Sequence, residues 1–415
     1  MDFSISASAL DHLERVRGFM SDHVYPAEPV YAAQREELTA AGRPHDPPAV
    51  MLDLIAEARA QGLWNLFRGG AAGLAQVDYA ILAEQTGRSP FIAPAAMNCL
   101  SPDSGNMDML DRFATDRQRT DWLEPLLDGE IRSAFSMTEP DVASSDATNI
   151  DTRIVEDGDH YIVNGRKWFT TGAADPRCRL LILLGRSHPD APRHRQHTML
   201  LVPRDAEGVR IVRALPVFGY RDQQGHCEIE YNDVRVPREY VLGQPGRGFQ
   251  VAQARLGPGR VHHCMRAIGM AERALEMMVE RAQSRVAFGA PLSDQGVVRS
   301  TIARSRIEID QARLLVLHTA WLVDRYGVDD VRASVSAIKV VAPEVAQNVL
   351  DRAIQLFGGM GVTDDTPLAE IWSRARTLRI VDGPEDVHLR TVARSVLAGQ
   401  PAHLRVGGPD GRAEA

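Results

Sequence analysis

Phe135-Ser-Met-Thr-Glu-Pro-Asp-Val-Ala-Ser-Ser-Asp146, followed some twenty residues later by Asn164-Gly-Arg-Lys-Trp-Phe-Thr-Thr171, is the pair of segments on which the reading of this chain turns. They lie in a region, roughly Ser133 to Pro237, where short β-rich runs alternate with turn dipeptides such as Asp157-Gly158 and Asn164-Gly165. The clearest strands expected here are Leu180 to Leu184, Thr198 to Val202, Val209 to Val212 and Cys227 to Val236. In the last of these Ile229 and Tyr231 alternate with charged neighbours.

The period changes on both sides of this region. From Ala7 to about Leu127 apolar residues recur at helical spacing (Leu10, Leu13 and Phe19; Leu52, Ile55 and Ala56; Val77, Ala80 and Ile81), with Pro26, Pro29, Pro44, Pro47 and Pro48 expected to punctuate the helices. Beyond the Gly243 to Gly248 turn, four long apolar-striped segments (Val261 to Gln283, Val298 to Tyr326, Val331 to Phe357 and Thr366 to Leu378) predict a helical bundle. The pattern predicts an α+β chain: an N-terminal helical domain over 1–132, a central β-domain over 133–243, a C-terminal bundle over 244–398 and a flexible tail over 399–415.

Composition narrows the function. With 415 residues, 44% hydrophobic and 25% charged, the chain has the length and apolar content for several buried cores. Its net charge of -8 supplies no general field for phosphate backbones, so a nucleic-acid partner is not expected. Cys99, Cys178, Cys227 and Cys264 are too widely spaced for a C-x-x-C site and too few to staple the chain, which fits a reducing cytoplasm. The longest apolar run, Leu180 to Leu184, falls far short of the roughly 20 residues a membrane span needs, and no signal-type segment opens the chain. There is no P-loop, H-E-x-x-H or G-x-S-x-G, and no G-x-G-x-x-G opens a helix after a strand. His262, His263 and Cys264 are adjacent, so on a helix they point about 100° apart and cannot share one metal ion.

Together the two opening segments resemble the acyl-CoA dehydrogenase flavoprotein family. Its members read T-E-P, a small-residue turn and S-D, then N-G-x-K with an aromatic two residues before a Ser or Thr. Further matches at Arg285-Val-Ala-Phe-Gly289 with Pro291-Leu292, at Gln355-Leu-Phe-Gly-Gly359 and at Asp382-Gly383 extend the resemblance over almost the whole chain. It implies a central β-barrel-like domain and a C-terminal four-helix bundle. It also implies FAD as cofactor, an acyl-CoA substrate, an electron-transfer flavoprotein as acceptor, and a homodimer or homotetramer.

The same resemblance assigns the site. Met137, Thr138, Ser145, Phe169 and Thr171 would border the flavin, with Thr138 and Thr171 as donors to its polar edge and Phe169 as its aromatic wall; Trp168 competes for that last role. Ser145 and Arg260 would face the substrate. Arg285, Phe288, Gln355, Gly358 and Gly359 would reach a flavin in a neighbouring subunit, Arg285 through its planar fork to the pyrophosphate. The reaction implied is α,β-dehydrogenation of a thioester, with the backbone N–H of the catalytic acid among the donors to the thioester carbonyl. Most relatives place Glu-Gly-Thr at the acid loop, whereas Asp382-Gly-Pro384 stands here, and Asp is shorter than Glu by about 1.5 Å. The alternative base position used by some relatives is Gly259. Asp382 is therefore the expected base, with Glu385 as the fallback. His262 and His263 could line the acyl pocket, but are read first as packing residues on their helix.

Several further stretches resemble the dehydrogenases that animals fuse to an aminoglycoside-phosphotransferase-like kinase domain. They are Gly62 to Phe67, Asp103 to Met107, Met137 to Thr148, Arg255 to Arg266 and Asp382-Gly-Pro384. That subgroup implies 4-hydroxyacyl-CoA substrates handled after phosphorylation, and a separate kinase partner. Two other readings share the scaffold: a nitroalkane oxidase-like flavin oxidase, which also uses an aspartate base, and a DNA-associated flavoprotein.

Overall fold

The computed structural model describes residues 5–68 and 74–399, with nothing described of the side chains of 256–258. It divides into two compact units, one ending at His262 and the other beginning at His263. From residue 400 onward the expected tail lies outside the described residues.

The first unit opens with helices. Ala7–Phe19 is capped by Ser6, whose hydroxyl accepts the Ala9 N–H at 3.1 Å. A widened π-turn, Met20–Val24, leads directly into Tyr25–Ala40, so Pro26 and Pro29 do not break the helical path as expected. The wide turn lies where Pro26, which cannot donate, would otherwise meet the carbonyl of an ordinary preceding turn. Pro44, Pro47 and Pro48 do separate that helix from Ala49–Ala60. Gln76–Gly87 and Asp103–Phe113 follow.

Seven strands then form one sheet: β1 (Arg132–Ser136), β2 (Arg153–Asp157), β3 (His160–Thr171), β4 (Cys178–Arg186), β5 (His197–Pro203), β6 (Val209–Leu215) and β7 (His226–Pro237). The order is β1-β4-β2-β3-β7-β6, with β5 also on β4. Tyr161, Val163, Leu181, Leu183, Leu200, Val202, Ile229 and Tyr231 fill its core. Asp157-Gly158 makes the expected turn, between β2 and β3. Asn164-Gly165 does not: it lies inside β3 at a register shift against β7. A Cβ on Gly165 would stand 2.9 Å from the Thr152 Cα, so this glycine serves a close backbone approach.

Helix Gly248–Ser284 carries the chain from the first unit into the second. The second unit continues with a hairpin, β8 (Val286–Ala287) and β9 (Ala290–Pro291), then helices Gly296–Tyr326, Arg332–Phe357 and Leu368–Leu378. A further helix, Glu385–Leu397, follows the acid loop. Among the described residues no helix is long and apolar enough to cross a membrane.

Candidate active site

In the first unit the two opening motifs meet through a buried lysine. Lys167, fully buried on β3, donates to the carbonyls of Met137 (2.8 Å) and Leu184 (2.7 Å) and to Glu139 Oε1 (2.8 Å). Glu139 also accepts the N–H groups of Asp151 and Thr152 (both 2.8 Å) and the Thr152 hydroxyl (2.6 Å). Burial pulls the Lys167 ammonium down to about 8 against the attraction of Glu139. Burial also raises the Glu139 carboxyl, but Lys167 and these donors outweigh it and hold it below its ordinary value. The Glu of T-E-P and the Lys of N-G-x-K thus form the joint that fixes the turn after β1 to β3.

This joint presents the candidate cofactor edge. The Trp168 main-chain N–H donates to the Thr138 carbonyl at 2.9 Å. Between Lys167 and Thr170 the β3/β7 register shifts again, and Phe169 takes a left-handed backbone (φ 49°) with its ring 45% exposed. A bulge of this kind re-aims a side chain away from the regular pleat. Trp168 is half-buried and packs edge-on against Phe169 (5.0 Å between centroids). Thr171 pairs with His226 Nδ1 at 2.8 Å, while the half-buried Thr138 hydroxyl makes no hydrogen bond among the described residues. Met137 is half-buried beside Thr138, whereas Ser145 is exposed in the following loop.

Residues from two of the stretches that resemble the kinase-fused subgroup tie the helices to the sheet. Asp103, at the start of its helix, accepts the Ser133 N–H (2.7 Å) and hydroxyl (2.6 Å) on β1, with Arg132 at 3.3 Å. Asn106 donates to the Ser133 hydroxyl and accepts from Arg255, each at 2.9 Å. Arg260 is half-buried on the helix Gly248–Ser284, five residues beyond Arg255. His262 is a packing residue as expected, bonded to Gln76 at 2.9 Å and edge-on to Tyr79.

In the second unit the acid loop is held from several sides. Helix Leu368–Leu378 ends where the buried Lys339 ammonium donates to the Leu378 carbonyl, a favourable place for a cation. Asp382 and Gly383 then both take positive φ (55° and 102°), which Asp tolerates better than most side chains. His388, on the next helix, donates from Nε2 to the Asp382 carbonyl (3.3 Å), so its Nδ1 accepts from Ser336 (3.2 Å). The Asp382 side chain is 19% exposed, and its Oδ2 lies 3.3 Å from His263 Nε2. His263, itself buried, thus lies against the acid loop. Burial, reinforced by Arg266, Arg374 and Lys339, depresses its pKa against the pull of Asp382 and keeps it neutral. Glu385 is engaged elsewhere, pairing with Arg379 Nε at 2.6 Å.

The remaining expected residues of this unit are exposed. Phe288 stands fully exposed at the tip of the β8–β9 turn, where it and Gly289 have positive φ (54° and 84°). Arg285 at the base of that hairpin and Gln355 near the end of its helix are exposed and make no side-chain hydrogen bond or ion pair among the described residues. A Cβ built on Gly358 or Gly359 meets nothing within 4 Å.

These two sets of residues match three family models end to end: the N-terminal domain of acyl-CoA dehydrogenases over residues 9–130, the middle domain over 134–234 and the C-terminal domain over 246–397. The chain belongs to the acyl-CoA dehydrogenase family. It is 56% identical to "Probable acyl-CoA dehydrogenase FadE2" of Mycobacterium tuberculosis, over 96% of this chain and 97% of that one. It is 47% identical to "Acyl-CoA dehydrogenase family member 11" of Mus musculus, covering 97% of this chain but about half (52%) of the mouse protein. A solved acyl-CoA dehydrogenase homologue from Mycobacterium abscessus superposes with a TM-score of 0.92 at 48% identity, covering 96% of this chain and 100% of that one. The chain is thus an oxidoreductase of a flavoprotein family whose cofactor is FAD. The residues present fit that cofactor: an exposed aromatic and an unengaged hydroxyl in one unit, an unengaged guanidinium and glycines with open ground above them in the other.

Proposed function

We propose that this protein catalyses the FAD-dependent α,β-dehydrogenation of an acyl-CoA thioester, with Asp382 as the base. When bound, FAD supplies the hydride acceptor, and the chain supplies position, donors and the proton acceptor. Thr138 and Thr171 would offer hydroxyls to the polar edge of the flavin and Phe169 its ring face, with Met137 and Ser145 flanking them. Arg285, Phe288, Gln355, Gly358 and Gly359 would serve the cofactor of a neighbouring subunit, which makes the working form a homodimer or homotetramer. Arg260 would face the substrate. The Asp382 N–H polarises the thioester carbonyl and its carboxylate removes the α-proton; the acidity induced at the α-carbon is what makes a carboxylate sufficient.

The observation that supports this most is the Asp382 loop. The acid is mostly shielded from water, fixed on a left-handed turn that suits Asp, and braced through Lys339 and His388, with His263 near its carboxylate. The fallback, Glu385, is held by Arg379. In this reading the shorter reach of Asp is met by the placement of the loop and not by the side chain.

The resemblance of several stretches to the kinase-fused subgroup supports 4-hydroxyacyl or 4-phosphoacyl chains, with a separate kinase acting first, as part of this reading. The electrons would pass to an electron-transfer flavoprotein in the cytoplasm. Anaerobic mixing with a panel of acyl-CoAs, including 4-hydroxyacyl forms with and without a kinase and ATP, tests substrate and reaction together. Bleaching of the flavin absorbance is expected with at least one member, without oxygen consumption when air is admitted. Absence of bleaching by every member would overturn the dehydrogenase reading, and rapid oxygen uptake would replace it with an oxidase.

A further inference from the structure

Of the two hydroxyls at the candidate cofactor edge, Thr138 makes no hydrogen bond among the described residues, whereas Thr171 has a partner. Thr171 ends β3 directly opposite His226, which opens β7, and its Oγ1 lies 2.8 Å from His226 Nδ1. Just beyond the pair the Gly172 N–H donates to the Gly225 carbonyl at 3.0 Å, so the two strands are tied where these side chains meet. The imidazole is 15% exposed and lies beside Phe169, the expected flavin wall, at 6.3 Å between ring centroids. A threonine hydroxyl has one hydrogen and two lone pairs. Its second neighbour, the Phe169 carbonyl at 3.5 Å, can only accept. Both contacts are satisfied together when Nδ1 carries a proton and donates to Oγ1. Asp222 Oδ2, 3.7 Å from Nε2, is too far to fix the opposite tautomer through a hydrogen bond.

We propose that His226 is a positioning residue for the flavin-edge donor: its Nδ1–H donates to Thr171 Oγ1 and so leaves the single Thr171 hydrogen for an acceptor on the polar edge of the bound flavin. The proposal rests on the reading of Thr171 as a donor to that edge. A hydroxyl without a fixed partner rotates to suit its surroundings, and here it could spend its hydrogen on the histidine instead. A donor into the oxygen removes that choice, since the hydrogen must then go elsewhere. The hydroxyl is oriented before the cofactor's electron count changes, and a preorganised donor stabilises added negative charge without reorganisation. A fixed donor at the polar edge therefore favours the reduced, electron-richer form of the cofactor and raises its midpoint potential. His226 acts on the flavin only through Thr171, which makes its effect conditional on the threonine hydroxyl.

The test measures the midpoint potential of the bound flavin in the FAD-loaded protein, without substrate and at one pH, by dye-coupled reductive titration, with FAD content determined on each sample. His226→Leu removes the donor. His226→Asn restores one, because its amide nitrogen, two bonds from Cβ like Nδ1, can stand about where Nδ1 does. His226→Leu is expected to shift the balance of the two forms toward the oxidised one by about three- to tenfold, a fall of about 15–30 mV for a two-electron couple. His226→Asn is expected to stay at the parent potential. Thr171→Val should lower it at least as far as His226→Leu, and adding His226→Leu to Thr171→Val should change it no further. A parent potential in His226→Leu would overturn the proposal. So would an Asn variant lowered as far as Leu, or a Leu effect that persists in full on the Thr171→Val background, because that is what a packing role produces. Thr171→Val separates the two claims: a parent potential there means that the reading of Thr171 itself has failed, and the role of His226 falls with it.

Discussion

Asp382→Asn should retain FAD and bind acyl-CoA while its rate of flavin reduction falls by about 10²- to 10⁴-fold, the usual contribution of a positioned base. The substitution is chosen for the backbone as much as for the chemistry. Asn tolerates the left-handed conformation at φ 55° as well as Asp does, so the turn into Gly383 should form unchanged. The His388 bond goes to the main-chain carbonyl, which the substitution does not touch. Only the proton acceptor is lost. Stopped-flow reduction under anaerobic conditions, with FAD content measured on the same sample, checks it. A variant with the parent rate would remove Asp382 from the chemistry, and Glu385 would then be the acid to examine after release from Arg379.

The second large effect is on stability. Lys167→Met keeps most of the volume of the side chain but leaves Glu139 buried without its cation, a loss on the order of 3–5 kcal/mol. For a unit of this size that corresponds to a fall of about 6–10 °C in the thermal midpoint. The sign of the pH dependence is fixed by Glu139. In the parent its carboxyl is held below the ordinary 4.5, so its contribution is present above that value and is lost as pH falls through the folded one. Without Lys167 the burial cost dominates, the carboxyl rises, and protonation relieves the variant. The gap between parent and variant should therefore narrow as the pH is lowered, measured as the difference in midpoint between neutral and mildly acidic buffer. A constant gap would show that the pair contributes packing and no charge compensation.

Both predictions concern residues that stood out in the sequence, yet for different reasons. T-E-P and N-G-x-K were legible as a pair, and the resemblance they carry gave the family and the cofactor. What they do locally was not legible. Glu139 and Lys167 are 28 residues apart, and only the pairing of β3 beside the turn after β1 brings their side chains together. The dipeptide Asn164-Gly165 reads as a hairpin turn because those residue types favour positive φ. Here the glycine is required by Thr152 pressing against it from outside the strand, a tertiary demand without a local signature.

The histidines show the same boundary. That adjacent residues on a helix diverge by about 100° was enough to dismiss a shared metal site. It could not say what each would meet. His262 meets Gln76 and Tyr79, and His263 meets Asp382, a residue more than a hundred positions away. Equally, the choice between Asp382 and Glu385 was argued from motif position alone, whereas the structure adds that Glu385 has a partner on its own turn. The helix Glu385–Leu397, which brings His388 to the acid loop, was not among the four long helices expected, although its start is marked by Pro384 followed by two acids.

The most direct measurement is a solved structure of the FAD-loaded protein with an acyl-CoA analogue in place. The account predicts one Asp382 oxygen about 3–3.5 Å from the α-carbon. An Asp382 turned away from the acyl chain, or another acid standing at the α-carbon, would contradict it.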